Sequence, residues 1–350
     1  MYPFKTDTNM PLNQWWVAAL SEELGESPME RSIAGQRIVF YRGAGGRPVA
    51  LAALCPHRHF PLVQGRRVGD ELQCGYHGFR FDGEGRCTHV PSQRSVPSTF
   101  RTRSYPVVER GPWVWIWTGD AALADSSAIP DTEALGLGAT GWRAVVAPPM
   151  PLAARYTLLI DNLLDLSHIT FVHEKSIPGG EAVAYLPTEV QTLGTTIRLR
   201  RVAPAAEPNG LDRLCFPGFE GRIDTVTDSE YIGPCLIKTG GPRYASALEG
   251  SSRRLLGHLH FLHAVTPATP TTTHYFVATV RDFQLEDQRL DAIFRSMEGI
   301  GREDVAVLEQ IEPALDKGLT AADELHGRVD AGVVLVRRQL EAQIAAESTG

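Results

Sequence analysis

Two short boxes, Cys55-Pro56-His57 and Cys74-Gly75-Tyr76-His77, each pair one thiol with one imidazole, with sixteen residues between them. Thiolates and neutral imidazoles both ligate iron and zinc, so four such donors on neighbouring loops describe a metal site. A structural zinc ion takes the same two-plus-two set, but zinc fingers pair like with like, as C-x2–4-C and H-x3–5-H. Mixed boxes suit a [2Fe–2S] cluster in which two cysteines hold one iron and two histidines the other. Imidazole compensates less charge than thiolate, so such a cluster accepts an electron at roughly −150 to +300 mV. It would relay electrons rather than act as a strong reductant. Pro56 and Pro61 in the first box, and Gly75 and Gly78 in the second, are turn formers that let two loops close over a cluster from opposite sides.

A second constellation, Asp161-Asn162-x2-Asp165-x2-His168-x4-His173, sets two histidines and two aspartates beside Asn162 within thirteen residues. A mononuclear non-haem Fe(II) site takes two His and one carboxylate on one face and keeps positions open for O2 and substrate. His168 and His173 are i, i+5, about 140° apart on a regular helix. Both reach one ion only where the helix ends or bulges between them, and the β-branched Thr170 and Val172 favour a break there. Asp165 lies one turn before His168 on the same face, placed to accept its ring N–H. A lone His on an apolar helix is ordinarily a satisfied core group. A cluster in the same chain changes that, because an oxygen-activating iron needs an electron supply.

These loops and helices must be carried by a scaffold. A chain of 350 residues with 43% hydrophobic residues exceeds what one core usually serves, and divides as residues 1–125 and 126–350. The first part reads as β, with apolar or alternating runs at 36–42, 48–54, 71–81 and 112–118 and an Asp82-Gly83 hairpin turn. Trp15 to Leu20 reads as a buried N-terminal strand, and 121–130 as a linker. The second part mixes helices at 155–172, 285–297, 303–315 and 331–346 with strands at 195–202, 256–265 and 274–281. Segments 203–221 and 239–252, rich in Pro, Gly and Ser, read as long loops. The fold class is α+β.

Net charge is −7, which argues against nucleic acid as a partner. Residues 1–125 carry 14 Lys/Arg against 12 Asp/Glu (+2), and residues 126–350 carry 20 against 29 (−9). Solvated surface explains that asymmetry, and so does a meeting of unlike domains from two subunits. No apolar run reaches the eighteen or so residues that cross a bilayer, and Cys87, Cys215 and Cys235 read as small buried residues in a reducing compartment. A soluble, cytoplasmic protein is expected. Gly43-Ala44-Gly45-Gly46 sits in a hairpin-like turn, not before a helix, and is no dinucleotide loop.

Taken together, Cys55-Pro56-His57-Arg58-His59-Phe60-Pro61-Leu62, Cys74-x2-His77-Gly78 and the Asp161 to His173 motif resemble the oxygenase component of Rieske non-haem iron oxygenases. Asn13 to Leu20, Tyr105 to Arg110 and Glu303-Asp304-x2-Val307-x-Glu309 are similar to the vanillate and dicamba O-demethylase branch. The resemblance implies an N-terminal antiparallel β domain holding the cluster and a helix-grip-like α+β catalytic domain holding a mononuclear iron. It implies that Cys55, His57, Cys74 and His77 bind the [2Fe–2S] cluster, that His168, His173 and Asp304 bind Fe(II), and that Asp165 and Asn162 serve catalysis. By themselves Glu303 and Asp304 read as a helix cap or first-turn acids.

The resemblance further implies a head-to-tail homotrimer in which electrons pass from His77 to Asp165 and His168 of the adjacent chain. NAD(P)H electrons would arrive through a separate reductase, with or without a ferredoxin. With O2 as co-substrate, the enzyme would hydroxylate a methoxy carbon of a small aromatic acid, giving a hemiacetal that collapses to a phenol and formaldehyde, or hydroxylate a methyl group. Ring hydroxylation of an aromatic carboxylate is the alternative. His263 matches a pocket histidine of the branch, and Met297 and Phe294 could pack on a ring, though core packing suits Phe294 better. Arg213, Arg222 and Arg243 could pair with a carboxylate, although solvation is the simpler reading of each. His258, His260 and His263 do not all share one strand phase, so one site for all three is not expected.

Overall fold

A computed structural model of the chain describes residues 1–178, 185–246, 253–296, 298–315, 319 and 323–348. It divides into two compact units. One comprises Met10–Ile129 with Thr266–Pro270, the other Met1–Asn9, Pro130–Val265 and Thr271–Gly350. The division therefore falls at Ile129/Pro130, and the first nine residues belong with the second unit rather than the first. All of the expected linker at 121–130 except Pro130 is built into the first unit. Asp120 and Asp125 cap two tight turns there, and the Trp15 indole donates to the Asp125 carbonyl at 2.8 Å.

In the first unit, the described residues form three antiparallel sheets: β1–β10–β9, β2–β3–β4 and β5–β6–β7–β8. Their strands are β1 (Trp15–Leu20), β2 (Met29–Ile33), β3 (Gln36–Arg42), β4 (Pro48–Ala52), β5 (Arg66–Val68), β6 (Glu71–Gln73), β7 (Arg80–Phe81), β8 (Cys87–His89), β9 (Val107–Arg110) and β10 (Trp113–Trp117). The continuous apolar runs of β1 and β10 pair with each other and are buried on both faces. Trp15, Trp16, Trp113 and Trp115 are fully enclosed there. Each removes roughly 200 Å² from water, about 5 kcal/mol at 25 cal/mol/Å². The stretch 71–81, expected as one run, is two short strands. Leu72 pairs with Phe81 and Gln73 with Arg80, and the second cysteine box loops out between them. Cys55 and Cys74 belong to the core beneath, with Val39, Leu51, Leu62, Leu72 and Phe81.

The second unit is built on an eight-stranded sheet among the described residues, ordered β11–β18–β17–β16–β15–β14–β13 with β12 also on β18. Its elements are β11 (Arg143–Val146), β12 (Met150–Leu152), α1 (Tyr156–Leu164), α2 (Ile169–Val172), β13 (Glu189–Leu193), β14 (Thr196–Ala206), α3 (Gly210–Cys215), β15 (Ile223–Tyr231), β16 (Leu236–Ala245), β17 (Arg254–Thr269), β18 (Thr272–Arg281), α4 (Gln288–Ser296), α5 (Glu298–Leu315) and α6 (Ala331–Ser348). Helix α1 lies against β15 and β16, and α6 against β14. Ser229 of β15 donates to the Leu163 carbonyl at 2.6 Å and ties α1 to the sheet.

Several expected elements differ. The helix at 155–172 stops at Leu164, because Asp165 turns extended (φ −92°, ψ 99°) and binds Ser167 instead of continuing the ladder. The break thus precedes His168 rather than separating the two histidines, and one helical turn, α2, lies between them. The expected loop at 203–221 holds the end of β14 and the helix α3, and 239–245 belongs to β16, while 247–252 lie outside the described residues. Helix α5 begins at Glu298, so Glu303 and Asp304 sit inside it rather than at a cap. No helix among the described residues is long and apolar enough to cross a membrane.

Candidate functional site

The two cysteine boxes fold alike. The Cys55 N–H donates to the Phe60 carbonyl at 2.9 Å and the His59 N–H to the Cys55 carbonyl at 2.8 Å. Likewise the Cys74 N–H donates to Phe79 at 2.8 Å and the Gly78 N–H to Cys74 at 3.1 Å. In each loop the fourth residue after the cysteine is left-handed, His59 at φ 54° and Gly78 at φ 72°. Both sulfurs are buried and both imidazoles exposed, with ring centroids 4.6 Å apart and His57 stacked on Phe79. Burial pushes the Cys55 thiol up to about 11, with Cys74 adding to the effect. Bound metal reverses such a shift by holding the thiolate.

The donor chemistry fits a cluster with sulfurs inward and imidazoles outward. Among the described residues these donors do not form a group of three within 4.8 Å, as a single zinc with ligands at about 2.0–2.3 Å would require. Gly78 is a stringent position: a Cβ there would meet Pro91 at 3.0 Å in a backbone region that costs L-residues about 1–2 kcal/mol. Gly78→Ala should lower the midpoint of thermal bleaching of the cluster absorbance by about 2–8 °C. An unchanged midpoint would mean the loop tolerates the side chain.

His168, His173 and Asp304 form one group whose ligand atoms all lie within 4.8 Å of one another. Asp304 Oδ1 is 3.2 Å from His173 Nε2 and 3.4 Å from His168 Nε2. Those spacings approach the edge of about 3 Å that ligands at about 2.1 Å make on one face of an octahedron, so the residues fit a facial 2-His-1-carboxylate centre. The outer nitrogens are occupied. His168 Nδ1–H donates to the Asp165 carbonyl, and His173 Nδ1 is 2.8 Å from Glu303 Oε2, which also accepts from Ser176 at 2.6 Å. Both Nε2 lone pairs are thereby aimed inward.

The expected Asp165 acceptor is corrected in one respect: its main chain, not its carboxylate, holds His168. The carboxylate accepts from the Ser167 N–H at 2.7 Å and hydroxyl at 2.6 Å. Asn162 Nδ2 donates to Asp304 Oδ1 at 3.1 Å. Burial works against charge on Asp304, but the two imidazoles hold its carboxyl well below the usual range. Burial also pulls His173 down, yet Asp304 and Glu303 raise it overall. The site calls for positive charge at its centre. Glu303→Ala should weaken Fe(II) affinity about 10- to 100-fold in a chelator competition while leaving the cluster spectrum intact. Unchanged affinity would show that Glu303 does not orient His173.

The same three residues line a cavity of about 210 Å³, together with apolar side chains such as Leu163, Ile177, Phe261 and Val277 and polar ones such as Asn209, Thr225, Thr227 and Thr279. His263 is in it, between the Tyr275 hydroxyl at 2.6 Å and the Thr239 hydroxyl at 2.8 Å, and burial lowers it to about 4. His260 and His258 turn elsewhere, to the Leu135 carbonyl and the Asp282 carboxylate. Phe294 borders the cavity and packs in the core with Leu290 and Cys215. Arg213 is exposed, and Arg222 pairs with Glu207 at 2.7 Å on the surface. Arg243 is not solvated but buried at the cavity, since 239–245 is strand rather than loop. Met297 lies outside the described residues. Ser176, Tyr275 and Thr239 carried no spacing signal that marked them, and Glu303 stands out in the sequence only as the acidic neighbour of Asp304.

Residues 152–346 match the vanillate O-demethylase oxygenase C-terminal domain, and residues 14–106 the Rieske [2Fe–2S] domain. The chain is 36% identical over 303 residues to the dicamba O-demethylase oxygenase component of Stenotrophomonas maltophilia, covering 86% of this chain and 87% of that one. It is 33% identical over 347 residues to the iron-sulfur subunit of the toluene-4-sulfonate monooxygenase system of Comamonas testosteroni, covering 97% and 98%. The crystal structure of dicamba monooxygenase bound to 3,6-dichlorosalicylic acid superposes with a TM-score of 0.88 at 32% identity, over 97% of this chain and 99% of that one. The chain therefore belongs to the Rieske non-haem iron oxygenases, in the branch of the vanillate and dicamba O-demethylase oxygenase components.

Proposed function

We propose that this chain is the terminal oxygenase of a monooxygenase system that hydroxylates a methoxy or methyl carbon of a small aromatic acid. The observation that carries this reading is that His168, His173 and Asp304 come together on the lining of a largely apolar cavity. Cys55, His57, Cys74 and His77 would hold the cluster, and His168, His173 and Asp304 the catalytic iron. When bound, the cluster supplies single electrons and the iron the place where O2 is reduced.

The chain's own residues prepare that site. Asn162 steadies Asp304, the Asp165 carbonyl orients His168, and Glu303 with Ser176 orients His173. The apolar walls exclude water and present the substrate carbon to the open face. For a methoxy substrate the balance is ArOCH3 + O2 + NAD(P)H + H⁺ → ArOH + CH2O + NAD(P)⁺ + H2O. A separate reductase delivers the electrons.

The working unit is a head-to-tail homotrimer in which the exposed His77 meets the Asp165–His168 corner of a neighbouring chain. The +2 and −9 charges of the two sequence halves favour such a heterologous, closed ring. A cytoplasmic location suits the five free cysteines. The reading is tested by supplying methoxy- and methyl-benzoates with a surrogate reductase and following product and formaldehyde together. Methoxy substrates should yield formaldehyde in step with phenol. Hydroxylated product that retains its methoxy group would point to the ring-hydroxylating alternative. O2 consumption with no product from any aromatic acid would contradict both.

A further inference from the structure

Arg243, on β16, is 6% exposed and lines the cavity. Its Nε donates to Asp212 Oδ1 at 3.0 Å, and its Nη1 to the carbonyls of Gly241 at 3.1 Å, Val226 at 3.3 Å and Pro242 at 3.5 Å. Asp212 is itself fixed. It is the third residue of α3, its N–H donates to Asn209 Oδ1 at 2.9 Å, and its Oδ2 accepts from the Asn209 N–H at 3.1 Å. A guanidinium gripped on one edge by a capped carboxylate and on another by carbonyls has little freedom to reorient. The backbone that carries it is irregular. Gly240 and Gly241 have φ of 99° and 157°, and the pairing of β16 with β17 shifts register between Arg243 and Tyr244. Such a bulge re-aims the side chain it carries.

Among the described residues, Nη2 has no protein partner, which leaves this edge of a mostly buried guanidinium as the one with hydrogen-bonding capacity to spare. No other Arg or Lys lines this cavity among the described residues. Glu207 is engaged by Arg222, and both His263 nitrogens are engaged by hydroxyls, so neither answers a ligand's charge.

We propose that Arg243, clamped by Asp212, is the anion anchor of the cavity and selects aromatic substrates bearing a carboxylate or sulfonate. The acid group binds the guanidinium through Nη2, the ring lies between apolar walls, and the far end of the ring faces His168, His173 and Asp304. Guanidinium geometry suits both oxyanions, so the shared chemistry is a singly charged aryl acid. The assignment deepens the oxygenase reading and rests on it only for what happens at that far end.

Anaerobic calorimetric titration of the metal-loaded enzyme with 4-methoxybenzoate, 4-methoxybenzenesulfonate and the neutral 4-methoxybenzamide tests it. At least one acid should bind about 10- to 100-fold more tightly than the amide, the worth of a charge-assisted hydrogen bond, and the better acid identifies the preferred oxyanion. The double variant Arg243→Gln/Asp212→Asn removes both charges without stranding either, and should bind acid and amide within about twofold of each other, below the worth of one such bond. Should that variant fail to fold, Arg243→Lys keeps the charge and should keep a weaker preference for the acid.

Equal affinity of wild type for acids and amide, no saturable binding of either acid, a folded double variant with the wild-type preference, or a lysine variant indifferent to charge would each overturn the anchor. Turnover plays no part in these titrations. An inactive enzyme that still prefers acids would count against the oxygenase reading alone, and an active one indifferent to charge against the anchor alone.

Discussion

Asp165→Asn should retain both metal centres and lose about 10²-fold or more of its coupled turnover. The expectation follows from which atoms of Asp165 do what. Its carbonyl, untouched by the substitution, orients His168, so the iron site keeps its geometry. An asparagine oxygen can still accept the Ser167 N–H that the carboxylate accepts at 2.7 Å. What disappears is a half-buried negative charge next to the imidazole of a proposed iron ligand, on the proposed route from a neighbouring chain's His77 to His168. Iron and sulfide analysis with product formation checks the outcome. Normal coupled turnover would remove Asp165 from the route, whereas loss of iron would make its role structural.

Asp304→Ala should reduce product to background, with the cluster still present and reducible. Asp304 supplies the only carboxylate oxygen facing both inner imidazole nitrogens among the described residues, at 3.2 and 3.4 Å. Two neutral imidazoles without it form a poor cradle for a divalent ion. Glu303 cannot take over, because successive helix residues point about 100° apart and its carboxylate is engaged on the outer nitrogen of His173. Iron content and the reduced-cluster EPR signal separate the two centres. Retained iron and activity in this variant would shift the third ligand elsewhere.

How far the sequence alone discloses this site depends on how local each feature is. The cluster boxes are legible because donors, turn formers and spacing sit together within each loop. The histidine pair is legible as a pair, but its helix break is not. The apolar spacing of Leu158, Leu159, Leu163, Leu166 and Ile169 continues through Asp165, and only its bond to Ser167 ends α1. Asp304 lies on a helix remote in sequence, and its place facing the imidazoles depends on how α5 packs against α1 and α2.

The burial of Arg243, named from the sequence but read as solvated, was hidden for another reason. Gly240-Gly241-Pro242 reads as a loop, yet β17 imposes a strand there, with Leu259 O lying 2.5 Å from where a Gly240 Cβ would be. Long-range pairing overrides local propensity at such a point.

The central claim is that the cluster feeds the mononuclear iron during aromatic oxidation. Its most direct measurement is a single turnover: chemically reduced protein, loaded with iron and an aromatic acid, is mixed with O2 while cluster absorbance and product are followed together. The predicted result is cluster reoxidation in step with product, and a cluster that stays reduced over the same interval in iron-free protein. Equal reoxidation rates with and without the mononuclear iron, or iron-dependent reoxidation that yields no product, would contradict it.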